Sequence, residues 1–200
     1  RTSPKCTYNS YDTYINCTLV ENLPDVLTES NENVELPSFL ANKWKKEGRY
    51  DKEIASLDAF FKKTGYPRAP KYYIMKWLSD YISDYGIDGY RVDTAKHTTE
   101  DVWADFKKVC DQAFADFKKN NTTKVLDNNG FFTVGEVYGY NIGAKRQYDF
   151  GDKKVDYYAN GFTGLINFDF RNEAKMNYEE LFSKYTNILQ NDLKGNTVMN

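Results

Sequence analysis

The residues best suited to chemistry stand at the ends of two short apolar runs. The first reads Gly86-Ile87-Asp88-Gly89-Tyr90-Arg91-Val92-Asp93. Side chains alternate along a strand, so Ile87, Gly89, Arg91 and Asp93 share one face. Arg91 then lies directly below Asp93, where its guanidinium favours the ionised carboxylate. The second run reads Phe131-Phe132-Thr133-Val134-Gly135-Glu136-Val137. Glu136 falls at its carboxyl end, in an apolar setting that favours the neutral acid. Neighbouring strands lie ~4.8 Å apart. If the two runs pair, their carboxyls can approach the ~5–5.5 Å separation of a retaining glycosidase. Asp93 is then the nucleophile and Glu136 the proton donor, because opposite environments assign opposite roles. A plainer reading fits the same residues: Arg91–Asp93 as a structural ion pair and Glu136 as a strand-end residue paired with a lysine. Spacing alone leaves both open.

The elements that must carry these residues alternate between helix and strand. Residues 1–35 are rich in Thr, Asn, Ser, Tyr and Asp, with Pro4 and Pro24, and read as loop with at most short strands. A polar helical stretch runs from Leu36 to Thr64, interrupted near Gly48. Ile74, Trp77, Leu78, Tyr81, Ile82 and Tyr85 then repeat at helical spacing up to Gly86. Ile87 to Val92 is a strand. Thr98 caps the next helix, whose apolar stripe is Val102, Phe106, Val109, Cys110, Ala113, Phe114 and Phe117. Further strands are expected at Phe131–Val137, Gly164–Phe170 and Asn196–Asn200. Before the last, Asn177 caps a helix with the stripe Leu181, Phe182, Tyr185, Ile188 and Leu189. This order implies right-handed crossovers and a parallel sheet. Both an open doubly wound sheet and a (β/α)8 barrel satisfy it, and in both the carboxyl ends of the strands carry the site. A whole barrel needs ~250 residues, and four strands are about half of one.

Composition excludes other classes. The 200 residues carry 27 Lys+Arg against 29 Asp+Glu, a net charge of −2, so the basic excess a nucleic-acid binder needs is missing. No apolar run approaches the ~18 residues of a spanning helix. No G-x-G-x-x-G or phosphate-loop pattern supports a nucleotide enzyme. The chain is rich in aromatics (17 Tyr, 13 Phe, 3 Trp), which suit flat hydroxylated ligands but equally fill cores. Of the aromatics near the chemistry, Trp103 is read as packing on its helix, whereas Tyr138 and Tyr140 follow Glu136 and could form a sugar platform. Cys6 and Cys17 could pair in an oxidising compartment, and Cys110 reads as a small core residue. Asn16-Cys17-Thr18 and Asn120-Asn121-Thr122 fit the glycosylation pattern and would be chance matches in a bacterial protein. The opening on Arg1 and the close on Thr197-Val198-Met199-Asn200 suggest an internal piece of a longer protein.

Gly89-Tyr90-Arg91-Val92-Asp93-Thr94-Ala95-Lys96-His97 resembles the second signature of the α-amylase family of glycoside hydrolases (family 13). Gly135-Glu136-Val137 resembles its third, and Leu23-Pro24-Asp25-Val26 its extra signature. Leu23 to Ser30 and Ile166-Asn167-Phe168-Asp169-Phe170 look most like bacterial periplasmic-type α-amylases. The resemblance implies a fragment, about half, of a (β/α)8 barrel: residues 1–35 as the tail of the insertion after barrel strand 3, and residues 36–200 as helix 3 to the start of strand 7. It implies Asp93 as nucleophile, Glu136 as acid/base, Arg91 as the arginine that positions the nucleophile, and Lys96 and His97 lining the leaving-group side of the cleft. It implies calcium, with Asp25 and the His97 carbonyl among the ligands. The substrate implied is an α-glucan polysaccharide or oligosaccharide, cleaved at α-1,4 bonds by an endo-acting, retaining enzyme, with no nucleic-acid partner and no membrane segment. The implied location is extracytoplasmic: periplasmic, secreted or cell-surface. An α-glucosidase, a cyclodextrin-degrading enzyme, a transglycosylase and a non-catalytic glycan-binding relative are the rivals. The family's first and fourth signatures, and with them the third catalytic carboxylate, have no counterpart in these residues, so the fragment alone is expected to be inactive.

Overall fold

The computed structural model describes residues 2–3 and 6–200; Arg1, Pro4 and Lys5 lie outside the described residues. Four helices precede the first strand: α1 (Tyr11–Asn16), α2 (Ser38–Lys46), α3 (Tyr50–Thr64) and α4 (Pro70–Tyr85). Then follow β1 (Gly89–Val92), α5 (Glu100–Asn120), β2 (Phe132–Gly135), β3 (Gln147–Asp149), β4 (Lys154–Asp156), β5 (Gly164–Ile166), α6 (Phe170–Glu173), α7 (Tyr178–Asn187) and β6 (Thr197–Met199). The main sheet has the order β1-β2-β5-β6 with every pair parallel, and β3-β4 form a separate antiparallel hairpin. The α/β expectation is met: the sheet is an open parallel arc with half the strands of a closed (β/α)8 barrel.

Local chemistry explains the boundaries. The break between α2 and α3 falls at Gly48, whose φ is +68°. Pro70 occupies the first turn of α4, where its missing N–H has no helical partner to lose. Helix α5 begins with Glu100 and Asp101 and ends with Lys118 and Lys119, each pair opposite in sign to the helix pole beside it. The Asn177 side chain accepts the Glu179 N–H at 2.9 Å and starts α7.

Two cores hold the arc. In the first, α4 and α5 pack together over β1 and β2 through Tyr72, Met75, Ile82, Val102, Phe106, Val109, Phe114 and Phe131. The second gathers Val137, Tyr140, Tyr157, Tyr158, Phe162, Leu165, Leu181 and Leu193 beneath the β2–β5 connection. Burying a side chain of this size contributes ~1.5–3 kcal/mol. Cys110 is fully buried in the first core, and burial pushes its thiol up to about 12. Cys6 and Cys17 form a disulfide.

Several expectations need correction. Residues 1–35 are not all loop: Ser10 and Thr13 form a reciprocal capping box that starts α1. Helix α5 starts one residue later than Thr98 would place it, because Thr98 instead ends a 3-10 turn at Ala95–His97. The inward face of α4 is Tyr72, Met75, Ser79 and Ile82, while Ile74, Tyr81 and Tyr85 are exposed. Helical spacing was read correctly there, but the stripe is rotated because α5 and the sheet lie on a neighbouring face. Phe182 is likewise exposed on α7. Phe170 starts α6 rather than ending β5. No long helix crosses between β2 and β5; the hairpin and its aromatic loop do so.

Gly86 closes α4 with φ +70°, and the Phe117 ring sits where its Cβ would be. Gly48 has the same sign of φ and nothing within 4 Å. Gly86→Ala is therefore expected to destabilise the protein by about 1–3 kcal/mol, and Gly48→Ala by clearly less. Urea midpoints of the two variants check this; equal losses would refute the ring contact as the cause.

Candidate active site

The parallel register of β1 and β2 sets Gly89, Tyr90, Arg91 and Val92 beside Phe132, Thr133, Val134 and Gly135. One step further along the same register, Asp93 faces Glu136. Backbone bonds continue past the assigned strand ends: Glu136 N–H donates to the Val92 carbonyl at 2.8 Å, and Ala95 N–H to the Glu136 carbonyl at 2.9 Å. Tyr90 and Val92 pack towards the helices. Strand alternation therefore turns Arg91 and Asp93 to the opposite, open face. Thr94 makes the turn after Asp93 with φ +48°, a conformation that costs a β-branched residue about 1–3 kcal/mol. That turn aims the Thr94 N–H at Glu136 Oε2, 3.0 Å away.

Arg91 bridges the two acids. Its Nη1 lies 3.0 Å from Asp93 Oδ1 and its Nη2 3.4 Å from Glu136 Oε2. The Asp93 side chain is 66% exposed and that of Glu136 19%. A hydrogen bond from the Glu136 carboxyl, then the Arg91 guanidinium and the Thr94 N–H, hold the Asp93 carboxyl below the usual aspartate range, against a small desolvation cost. The acids are in hydrogen-bond contact, closer than the ~5–5.5 Å expected of a retaining pair. The reason is the guanidinium fork, which draws one carboxyl to each nitrogen. An anion and an acid now stand together at the carboxyl ends of adjacent strands, which is the division of protonation states that acid–nucleophile chemistry requires.

The other residues singled out in the sequence are placed differently. Lys96 is 6% exposed. Its Nζ donates to the Tyr138 carbonyl at 2.9 Å and to the Tyr148 hydroxyl at 3.2 Å. The same nitrogen lies 4.5, 5.3 and 5.4 Å from the ring centroids of Tyr14, Tyr138 and Tyr148. Burial lowers its pKa, opposed by the charge of Glu136. His97 is half-buried against Tyr8 and Tyr14, and its Nδ1–H donates to the Tyr14 carbonyl at 3.1 Å. Burial outweighs that bond and lowers its pKa. Tyr138 stays exposed on the rim, edge-on to Phe168. Tyr140 is fully buried, with its hydroxyl bonded to Lys145 O and Tyr158, so it belongs to the core and not to a platform. Trp103 packs on α5 as expected, and its indole N–H donates to Ala95 O at 2.9 Å. Thr94, Tyr14 and Tyr148 were not singled out: an αL threonine has no sequence mark, and the two tyrosines come from elements read as loop.

Asp25 lies within electrostatic reach of His97 and Tyr8. Calcium takes ~6–8 oxygen ligands. Among the described residues no three His, Cys, Asp or Glu side chains converge on a metal position, so Asp25 and the His97 carbonyl do not by themselves make a calcium site.

No family model matches the chain. The chain is 36% identical over 152 residues to the periplasmic α-amylase of Escherichia coli (strain K12), across 76% of this chain and 19% of that protein. It is 34% identical over 62 residues to α-amylase 1 of Lipomyces kononenkoae, across 31% of this chain and 7% of that one. Among solved structures, an Anoxybacillus α-amylase gives a TM-score of 0.39 at 23% identity, covering 59% of this chain and 23% of that one. The α-amylase of Geobacillus thermoleovorans, complexed with acarbose, gives 0.41 at 20% identity, covering 58% and 22%. The chain thus spans about a fifth of the length of the bacterial curated relative. On that identity across three-quarters of its length, the chain belongs to the α-amylase family of glycoside hydrolases.

Proposed function

We propose that the whole protein containing this chain is an endo-acting α-amylase that cleaves α-1,4-glucosidic bonds of starch, glycogen or maltodextrins by retaining double displacement. The observation that carries this reading is the Arg91 fork joining Asp93 and Glu136 at adjacent strand ends. Asp93 attacks the anomeric carbon as its bond to the leaving oxygen breaks, and the Glu136 proton goes to that oxygen. The product is a glycosyl ester on Asp93. Water then attacks the same carbon, its proton passes to Glu136, and Asp93 leaves as the carboxylate. Arg91 positions Asp93 and favours its anionic form before and after each cycle. Exposed Tyr138 offers a face for a sugar ring beside Glu136. The Cys6–Cys17 disulfide and the periplasmic relative support an extracytoplasmic location. Among the described residues, no helix is long and apolar enough to cross a membrane.

In the whole protein, Asp93→Asn should abolish turnover while leaving glucan binding intact, and Glu136→Gln should lower kcat by about 10²–10⁴-fold. Near-normal hydrolysis by Asp93→Asn overturns the nucleophile assignment. The 200-residue chain alone is expected to release no reducing sugar from starch, because Asp93 stands on an open face with no opposing wall of this chain; measurable release contradicts that. We assign Asp25 and the His97 carbonyl to a calcium shell completed by other residues of the whole protein. EGTA should then lower the Tm of the whole protein, and Asp25→Ala should remove that sensitivity. A Tm indifferent to EGTA counts against the shell.

A further inference from the structure

We propose that Lys96 is a positioning residue for Glu136, acting from inside the protein and not on the sugar. The inference rests on Glu136 being the acid/base proposed above. The residue pair Ala95–Lys96 grips the exit of β2 at two points. Ala95 N–H holds the carbonyl of Glu136 at 2.9 Å, and Lys96 Nζ holds the carbonyl of Tyr138, two residues on, at 2.9 Å. Glu136 N–H is itself fixed to Val92 at 2.8 Å. The backbone that carries the acid is therefore tied before, at and after its Cα. Tyr148 donates to the same Tyr138 carbonyl at 3.1 Å and accepts from Lys96, so the third tie is a closed triangle.

A lysine that lined a cleft would keep its ammonium in water and reach out along its stem. Lys96 does the reverse. It is 6% exposed, and three tyrosine rings stand around its nitrogen, with the peptide carbonyl on the remaining side. Two of those rings come from remote elements: Tyr14 from α1 and Tyr148 from β3. One buried charge thus gathers α1, the hairpin and the β1 turn around the segment that bears Glu136. Cation–π contacts and a charge-assisted hydrogen bond to a carbonyl are strong in such a dry setting. Because Glu136 transfers a proton over hydrogen-bond range, a displacement of its backbone by an ångström is enough to impair it.

Lys96→Met in the whole protein tests this. With a maltooligosaccharide, whose leaving oxygen needs a proton, kcat should fall about 10²-fold at unchanged KM. With α-maltosyl fluoride it should fall by less than about three-fold, because fluoride departs with little help from an acid. A raised KM with kcat intact means that Lys96 contacts the glucan and overturns the proposal. Equal losses on both substrates mean general support of the fold and overturn it as well. Glu136→Gln is run alongside. If it shows the fluoride selectivity and Lys96→Met does not, the Lys96 inference alone fails; if it treats both substrates alike, the acid assignment fails and the inference falls with it. Should Lys96→Met not fold, Tyr148→Phe removes one tie on the Tyr138 carbonyl without deleting a charge. It should show the same selectivity in weaker form, and an unselective Tyr148→Phe overturns the proposal.

Discussion

A single guanidinium placed between two carboxyls organises the candidate site. Arg91 can reach both because it sits one pleat below Asp93 on β1 and because the parallel register brings Glu136 alongside. Neither acid could occupy this position without a cation: two anions in hydrogen-bond contact repel, and removing one from water is costly. The fork, the shared proton and the Thr94 N–H together let an exposed anion and a mostly buried acid coexist at contact distance. The remainder of the chain serves this geometry by holding two strand ends level.

That levelling comes from two different kinds of packing. On the β1 side, α4 and α5 form a conventional helix layer whose apolar faces cover the sheet. On the β2 side there is no such crossover helix. A hairpin and a run of tyrosines and phenylalanines fill the space, and hydroxyls buried among them are satisfied by carbonyls or by one another, as with Tyr140 and Tyr158. The aromatic wealth of the composition is thus mostly consumed inside the second core, and Tyr138 is the aromatic next to the acids that stays at the surface.

Much of this was legible in the sequence, for physical reasons that also mark the limits. Strand alternation sufficed to put Arg91 and Asp93 on one face, and the alternation of elements sufficed for a parallel sheet. The stripe of α5 from Val102 to Phe114 was readable because that helix is buried along one side only. Helix α4 touches neighbours on more than one face, so its period was visible but its inward direction was not. Lys96 shows a sharper limit. A lysine after a strand end looks like a solvated charge, and its burial depends on Tyr14 and Tyr148, which no local pattern ties to it. The hairpin escaped notice because its strands are three residues long.

The disulfide-closed segment around α1 makes the rim a product of distant encounters. The Tyr14 carbonyl meets His97 across 83 positions of chain, the Tyr11 hydroxyl meets Glu100 across 89, and the Tyr11 N–H meets Asp152 across 141. A six-residue helix has little tendency to exist by itself. Loops of such length charge a closure entropy before any contact returns it, whereas the α4–α5 layer joins neighbours in sequence. The molecule is accordingly uneven in its cohesion: a frame knit from nearby elements, and a mouth whose shape is set by the far end of the thread.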